Sequence, residues 1–594
     1  DHLTPPLTRA ELYGSLHRLE ALIDEYYDAE SLDPKRLSVI RDRIYSLITQ
    51  ENLHQDLSLL PGLAPILSQL QLSQDQPRLR RNDQSLDSDA FSEFITQTDG
   101  YLCDLKEAQI RDGLHILGQC PEGRQLRDLI VAIARQPGPG RQGLTRAIAD
   151  DWGWDLHFDP LTADLGTVIK DLKIPETLLQ AEKLSQQTLH TIGDAVAVLE
   201  HQAACWVEQL LTRESDRIDN EGKISPIAGP KTTTELIWIS QWLRPRLVQT
   251  SEEITHLLHG LDGGYVPSGS SGAPTRGRAD VLPTGRNFYS VDIRGLPTES
   301  AWDVGRRAAE NLVERYTQEQ GDYPKTLGLS MWGTATMRTG GDDMAEALAL
   351  LGVRPVWDGV GRRVVDFEIL PLSVLQRPRV DVTLRISGFF RDAFPNLIDL
   401  FNSAVAAVAA LDEPADMNPL ATQVKQESDH WQSLGFTPED ADIRAQYRVF
   451  GSKPGAYGAG LQGLIEAQNW TSDRDLAQAY INWSCYAYGR PGTLSEQQSG
   501  NLRSASVPDV FQQRLGQLQI VLHNQDNREH DLLDSDDYYQ FQGGLVAAVR
   551  ATQGKNPTAY FGDHSRPQAP LIRSLPEEIS RVYRSRVVNP KWIA

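Results

Sequence analysis

Thr326-Leu-Gly-Leu-Ser-Met-Trp332-Gly-Thr-Ala-Thr-Met-Arg338-Thr-Gly-Gly-Asp342 is the stretch that decides the fold class. Thr326–Trp332 is a short, largely apolar run and reads as a strand. Asp342–Leu351 reads as a helix stopped by Gly352, and Val353–Trp357 reads as the next strand. The three make a β–α–β unit whose crossover is expected to be right-handed. Val364–Leu370 and Val380–Ser387 add strands, and Asn396–Leu411 is a long apolar helix. An α/β domain with a partly parallel sheet is therefore expected over 287–412.

Residues 1–264 read as a mainly helical domain. Thr8-Arg9-Ala10-Glu11 has the form of a capping box. Leu12, Leu16, Leu19, Ile23 and Tyr26 then recur at three- and four-residue spacing and form one apolar stripe. Leu37–Ile48, Gln125–Ala134 and Thr188–Leu211 repeat the pattern, and Gln74–Asp89 reads as solvated loop. Residues 265–286, rich in Gly, Ser and Pro, read as a flexible loop or boundary. Residues 413–594 read as a mixed α+β domain, incomplete at its C-terminus. It has a glycine loop at Gly451–Gly460, helices near Asp473–Ser484 and Pro508–Leu518, and a strand near Gln519–His523. The whole is an α/β multidomain chain: a helix-rich N-terminal part, a central α/β domain and a C-terminal mixed region.

Composition narrows the function. The 594 residues include 58 Lys and Arg against 80 Asp and Glu, a net charge of −22. Such a chain repels nucleic acid and anionic membrane, and suits the handling of cations or a basic partner. With 12 Trp, 18 Tyr and 14 Phe, disorder is not its general state. The four cysteines are far apart, with no Cys-x-x-Cys, which fits a reducing cytoplasm. No apolar run reaches the ~18 residues of a membrane span. Both ends, Asp1-His2-Leu3 and Trp592-Ile593-Ala594, read as cuts inside a longer polypeptide. A phosphate-binding P-loop, an H-E-x-x-H and a G-x-S-x-G elbow are all missing, so any ATP would be hydrolysed by another polypeptide.

Five motifs carry candidate chemistry, each with a plainer alternative. Trp332–Asp342 follows a strand, where α/β sheets bind ligands; Arg338 and the glycines suit a carboxylate or amide. Alternatively Thr339 and Asp342 cap a helix. Arg377-Pro-Arg379-Val-Asp381 and Ser387-Gly-Phe-Phe-Arg391-Asp392 supply arginines for an anionic ligand, or Arg379 and Asp381 form a same-face ion pair. Phe450–Gly460 lets the backbone approach a ligand, or is a tight turn. His523–Tyr539 concentrates imidazole and carboxylate. If Glu529–Asp534 is helical, His530 and Asp534 share a face, and with Asp536 they suit a divalent ion or proton transfer. Its alternative is a solvated acidic turn. His115, beside Arg111-Asp112 on an expected helix, is a further catalytic candidate or a satisfied structural histidine.

Leu282-Pro-Thr-Gly-Arg-Asn-Phe-Tyr-Ser290, Trp332-Gly-Thr with Arg338-Thr-Gly-Gly341, Arg377–Asp381 and Ser387–Asp392 together resemble the large, tetrapyrrole-binding subunit of the cobaltochelatase and magnesium chelatase family. The resemblance runs from Thr4 to Trp592. Phe450–Gly460, Tyr486–Gly489 and His523–Gly544 resemble the cobalt branch, although the magnesium enzymes share the His530, Asp534, Ser535, Asp536 core. Family members are longer, and an H-G-T-x-E-W-type motif is expected just before Asp1. The resemblance implies a metal chelatase inserting Co2+ into a corrin-type ring, hydrogenobyrinic acid a,c-diamide, in cobalamin biosynthesis. ATP and Mg2+ would sit on AAA+ partner subunits. The alternatives are Mg2+ insertion into protoporphyrin IX, a non-catalytic tetrapyrrole-binding or signalling protein, and a scaffold. On this resemblance His530, Asp534 and Asp536 handle the metal and ring protons, with His115 a further catalytic candidate. Trp332, Thr334, Arg338, Arg379, Arg391, Tyr457 and Tyr539 hold the ring.

Overall fold

The computed structural model describes residues 4–593 apart from 61–62, 64–65, 68–87, 170–171, 176–188, 213–227, 290, 360 and 490–502. Most of the expected loop Gln74–Asp89 lies outside the described residues; its last two residues begin the helix Ser88–Lys106. The chain forms two compact units. One comprises His2–Gly269, Ala273–Asn287 and Pro576–Ala594; the other comprises Phe288–Leu575 with Ser270–Gly272.

The first unit is helical. The stripe Leu12, Leu16, Leu19, Ile23 and Tyr26 is buried against Ile40, Ile44, Phe91 and Phe94, each such side chain contributing about 1.5–3 kcal/mol by leaving water. A second core joins Leu129–Ala134 to Leu199, Trp206 and Leu236. Three expectations are corrected here. Thr8 caps no helix: Leu7–Arg9 is a strand paired with Gln109–Arg111, the Thr8 hydroxyl donates to Asp128, and the helix begins at Gly14. The same ladder makes Gln109–Arg111 a strand rather than a helix below His115. Residues 265–286 are packed, not slack: short turns at Pro274–Arg276 and Ala279–Val281 bury Ala273, Val281, Leu282 and Thr284.

The second unit is built on one eight-stranded sheet: β1 (Thr326–Met331), β2 (Asp381–Ile386), β3 (Val449–Gly451), β4 (Tyr486–Gly489), β5 (Arg503–Ser506), β6 (Ile520–Gln525), β7 (Thr558–Asp563) and β8 (Leu571–Ser574). Their order is β5-β4-β3-β2-β1-β6-β7-β8. The five strands β3-β2-β1-β6-β7 are parallel and the remaining pairings antiparallel. The chain builds leftward from β1 to β2 and β3, and later rightward through β6 and β7, so the order reverses at the β1/β6 junction. Strands from both sides of residue 412 share this sheet, so 287–412 and 413–575 are one body.

Helices cover both faces. On one lie α1 (Glu299–Gln320), α3 (Asp342–Leu351) and α5 (Pro395–Ala409), whose Leu312, Leu348 and Val405 pack with Leu384 and Leu522. On the other, the helix Asp473–Ser484, the helix Pro508–Leu515 and α6 (Gly544–Gln553) bring Tyr480, Phe511 and Leu545 to Phe450 and Val521. Two short helices, α2 (Gly333–Thr339) and α4 (Gly388–Ala393), follow β1 and β2 directly. The expected β–α–β unit is not made. Val353–Trp357 turns away and pairs antiparallel with Val364–Ile369. Pro355 lacks the N–H a central strand needs, and Arg354 is exposed, as a half-buried hairpin allows. Among the described residues no helix is long and apolar enough to cross a membrane.

Candidate active site

In open parallel sheets, ligands bind beyond the carboxyl ends of strands where the order reverses. Here that junction is between β1 and β6. Their paired register runs only from Ile520–Leu327 to Leu522–Leu329, although β1 continues to Met331 and β6 to Gln525. The last residues of β6 alternate between the two faces: His523 follows Val521 and Asn524 follows Leu522.

His523 is 3% exposed and lies among rings: Tyr538 at 4.8 Å, Trp332 at 5.8 Å and Phe561 stacked at 6.0 Å. Burial, then the neighbouring His530, pushes its pKa down to about 3. The imidazole is neutral, and its Nδ1 finds no hydrogen-bond partner among the described residues. His530 lies 6.1 Å from the same Tyr538 ring. Burial also lowers the His530 pKa, while Asp526 and Asp534 oppose the shift. Glu529–Asp534 is not a helix: Asp534 N–H donates to the Asp531 carbonyl, and the Asp534 carboxylate accepts from Asp531 N–H. Asp536 accepts from Gln540 at 2.7 Å and opens the π-helical turn Tyr538–Gly543 that leads into α6. Asp534 thus acts on His530 through its charge, across a turn rather than along a helix face. Among the described residues no three His, Cys, Asp or Glu side chains stand as a metal-ligand set, so His530, Asp534 and Asp536 are not a preassembled cation cage.

The segment carrying His530 is clamped at both sides. Arg338, in the last turn of α2, makes a bidentate pair with Asp526 at 2.7 and 2.8 Å. Arg528 pairs with Asp563 at the end of β7 and donates to Gln525, whose amide in turn donates to the His530 carbonyl. Arg338 therefore fixes the loop and is not a free anion holder.

On the opposite face Asn524 donates to Glu346 at 2.5 Å and to Asp343 at 3.1 Å, both on the first turns of α3. The His564 ring lies 3.9–4.0 Å from Asp342, Asp343 and Glu346. All five side chains are buried. Burial, with Asp343 and Asp342 adding to it, pushes the Glu346 pKa up to about 8, so this carboxyl carries a proton at neutral pH.

The other expected site residues are dispersed. Arg379 is fully buried, paired with Glu413 at 2.7 Å and donating to the carbonyls of Leu351, Gly352 and Leu370. Its strand neighbour Asp381 pairs instead with Arg448 and Arg514, a buried network balanced by Glu427. Both arginines of the expected anion site at 377–381 are thus structural: Arg377 donates to the Ala349 and Leu350 carbonyls. Arg391 holds the glycine loop through the carbonyls of Ser452, Lys453 and Ala456, and pairs with Asp392. Tyr457, 61% exposed, donates its hydroxyl to Asp392. Trp332 is half-buried against Phe541 at 4.4 Å, and Tyr539 is exposed. Thr334 is half-buried in the first turn of α2, where the Gly333 N–H is already taken by Ser387. Thr339 takes up the N–H groups of Gly341 and Asp342, the capping alternative. His115 is in the helical unit, bound to Glu253 at 2.9 Å and accepting from Thr4 N–H, the satisfied structural alternative.

Sequence reasoning named His523 and Asn524 only as the start of the imidazole-and-acid run, without a role of their own, and missed Glu346 and His564. The available signal was the polar run His523–Asn527 directly after an apolar strand, since polar residues at a parallel strand's carboxyl end sit at the ligand crevice.

The CobN/Magnesium Chelatase family model matches residues 1–594. The chain is 49% identical over 602 residues to the aerobic cobaltochelatase subunit CobN of Pseudomonas aeruginosa and 48% identical to that of a Sinorhizobium species, covering 100% of this chain and 44% of each relative. Identity to the corresponding magnesium-chelatase polypeptide of Chlorobaculum parvum is 28%, over 100% of this chain and 42% of that one. The solved catalytic subunit of cobaltochelatase from Mycobacterium tuberculosis superposes with a TM-score of 0.80 at 39% identity, over 100% of this chain and 44% of that one. The chain thus spans less than half the length of these relatives. It belongs to the CobN/magnesium chelatase family.

Proposed function

We propose that this chain is the tetrapyrrole-binding and metal-inserting part of an ATP-dependent cobaltochelatase, placing Co2+ in a corrin-type ring of the hydrogenobyrinic acid a,c-diamide class. ATP would be hydrolysed on AAA+ partner subunits carrying their own Mg2+, in the cytoplasm. Cobalt is preferred to magnesium because identity is 48–49% to cobaltochelatase subunits against 28% to a magnesium-chelatase polypeptide.

The observation that carries the chemistry is the pair of imidazoles around Tyr538. Insertion exchanges two ring N–H protons for one divalent cation, so the site must offer lone pairs to the cation and bases to the protons. His523, with its pKa near 3, is a poor base but an available lone pair, and suits transient ligation of the incoming ion. His530, less strongly depressed and backed by Asp526 and Asp534, suits proton acceptance, with Asp534 and Asp536 relaying protons or water-exchanged metal. Trp332, Tyr539 and Tyr457 offer ring faces for packing on the macrocycle.

The test is reconstitution with ATPase partners, both rings and both metals, followed by absorbance. Cobalt insertion that His530→Ala abolishes, with ring binding kept, supports the reading. Insertion of Mg2+ into protoporphyrin IX, or ring binding with no insertion of either metal, replaces it.

A further inference from the structure

The run Leu282–Ser290 has no task in the site above. In the helical unit its Arg286 shares a cavity of about 320 Å3 with Arg246, Gln249, Glu252 and His256, walled by Pro245, Pro267 and Pro283. Two glycines make room for this hollow. A Cβ at Gly269 would stand 2.6 Å from Arg286 Cδ, so a glycine there lets the arginine pass. Gly285, at φ +77°, lies so close to the Glu252 backbone that a Cβ would meet it at 2.8 Å. His256 Nδ1–H donates to the Gly285 carbonyl at 2.7 Å and tethers the run to the helix Glu252–Leu261.

Arg246 is preorganised from below. Its guanidinium lies 4.0 Å from the Trp242 ring centre and donates to the Trp242 carbonyl. Trp242 stacks on Trp238 at 5.2 Å, and Arg141 closes the ladder 3.3 Å above Trp238. The ladder spans the π-helical turn Ile239–Leu243, a distortion common at functional sites. Its two ends differ. Arg141 is neutralised by Glu235 at 2.6 Å, whereas no ion pair involves Arg246 or Arg286 among the described residues. Among the described residues Glu252 is the one carboxylate that lines the cavity, and it makes no ion pair with either arginine. Arg286 lowers the pKa of Arg246 in addition to burial, as like charges facing one hollow must.

A stacked guanidinium such as that of Arg246 presents its edge to a planar or tetrahedral oxyanion, and two guanidinium groups lining one hollow lose their repulsion when an anion bridges them. We propose that Arg246 and Arg286 form an oxyanion pocket that takes a carboxylate or phosphate group. On the ring-binding function proposed above, on which this part alone rests, the anion is a peripheral carboxylate of the tetrapyrrole; a free phosphate compound is the other source.

The test uses the 594-residue chain, titrated calorimetrically with an octacarboxylate porphyrin and, separately, with inorganic pyrophosphate. Arg246→Ala and Arg286→Ala are each expected to weaken binding of the recognised anion by about 10- to 100-fold, with partial recovery in Arg286→Lys and unchanged far-ultraviolet circular dichroism. Loss confined to the porphyrin identifies a ring carboxylate, and loss confined to pyrophosphate identifies a phosphate. A wild-type chain that binds neither anion, or a folded double variant that binds both as tightly as wild type, overturns the pocket. Porphyrin binding untouched by the double variant, with no arginine-dependent pyrophosphate binding, removes the pocket and leaves the ring reading standing. Pyrophosphate binding through the arginines with no porphyrin binding does the reverse.

Discussion

The two faces of one strand end make a natural comparison. His523 and Asn524 are adjacent in β6, both buried, and both lie at the sheet's switch point. Yet His523 is set among rings that offer no hydrogen bond to its Nδ1, whereas Asn524 is bound to a carboxyl cluster by two hydrogen bonds. One face preserves a reactive lone pair at the expense of stability. The other engages its amide and holds a proton in reserve. Alternation of side chains in a strand is what lets the two chemistries lie so close without mixing.

The sharpest way to break this contrast is His523→Ala. On the proposed role of His523 in ligating the incoming cation, its removal should cut turnover by about 10²- to 10⁴-fold, with ring binding retained in the absorbance titration. Turnover within a few-fold of wild type would return His523 to the aromatic core and leave His530 as the working imidazole.

The next largest effect is on stability, and the two faces predict opposite signs. The folded state keeps the Glu346 proton to about pH 8, whereas the ordinary value is 4.5. Folded chains thus hold one more proton than unfolded ones across that window, and stability falls as pH rises through it, by up to about 5 kcal/mol. His523 falls from 6.5 to about 3, so unfolded chains hold the extra proton. That face loses a similar amount as pH drops from about 6.5 to 3. Urea denaturation at a series of pH values should show Glu346→Gln flattening the alkaline limb alone and His523→Leu the acid limb alone. Matching profiles for both variants and wild type would sink the assignment of either limb.

Arg338→Ala tests whether the loop bearing His530 is held or merely rests there. Breaking this buried bidentate pair takes away the cation that balances Asp526, a loss of about 3–5 kcal/mol. Arg338 also holds the His530 pKa down and Asp526 holds it up, so the variant should raise it. Imidazole titration by NMR reads this directly, and an unmoved His530 would show that the clamp does not reach the site.

These contrasts bear on what a sequence can disclose. β1, α3, β2 and α5 are legible because continuous apolar runs and a positive-φ glycine at 352 mark their ends locally. The placement of β6 beside β1 is not, because about 190 residues separate them and nothing in either strand names its neighbour. The same blindness misdirected the β–α–β reading, where Pro355 was the overlooked objection. At Thr8 a local capping signal lost to a ladder with Gln109–Arg111 about a hundred residues away. At the site, the imidazole-and-acid run was legible, but His530 drew attention because acids surround it in sequence. His523 matters through rings contributed by Trp332, Tyr538 and Phe561, which only the folded sheet assembles.

The smallest expected effect is the direct counterpart of the first. Asn524→Ala deletes the amide that donates to Glu346 and Asp343 and leaves a space beside Gly562, where a Cβ would have met Asn524 Oδ1 at 2.0 Å. Glu346 already carries a proton, so the lost donor strands a neutral carboxyl rather than a full charge. The cost should be about 1–3 kcal/mol, below that of Arg338→Ala. The Glu346 pKa should rise further, because Asn524 is the group that lowers it, and the alkaline fall in stability should extend to higher pH. Insertion should survive, since Asn524 faces away from His523. A variant that folds normally but inserts no metal would merge the two faces into a single catalytic unit.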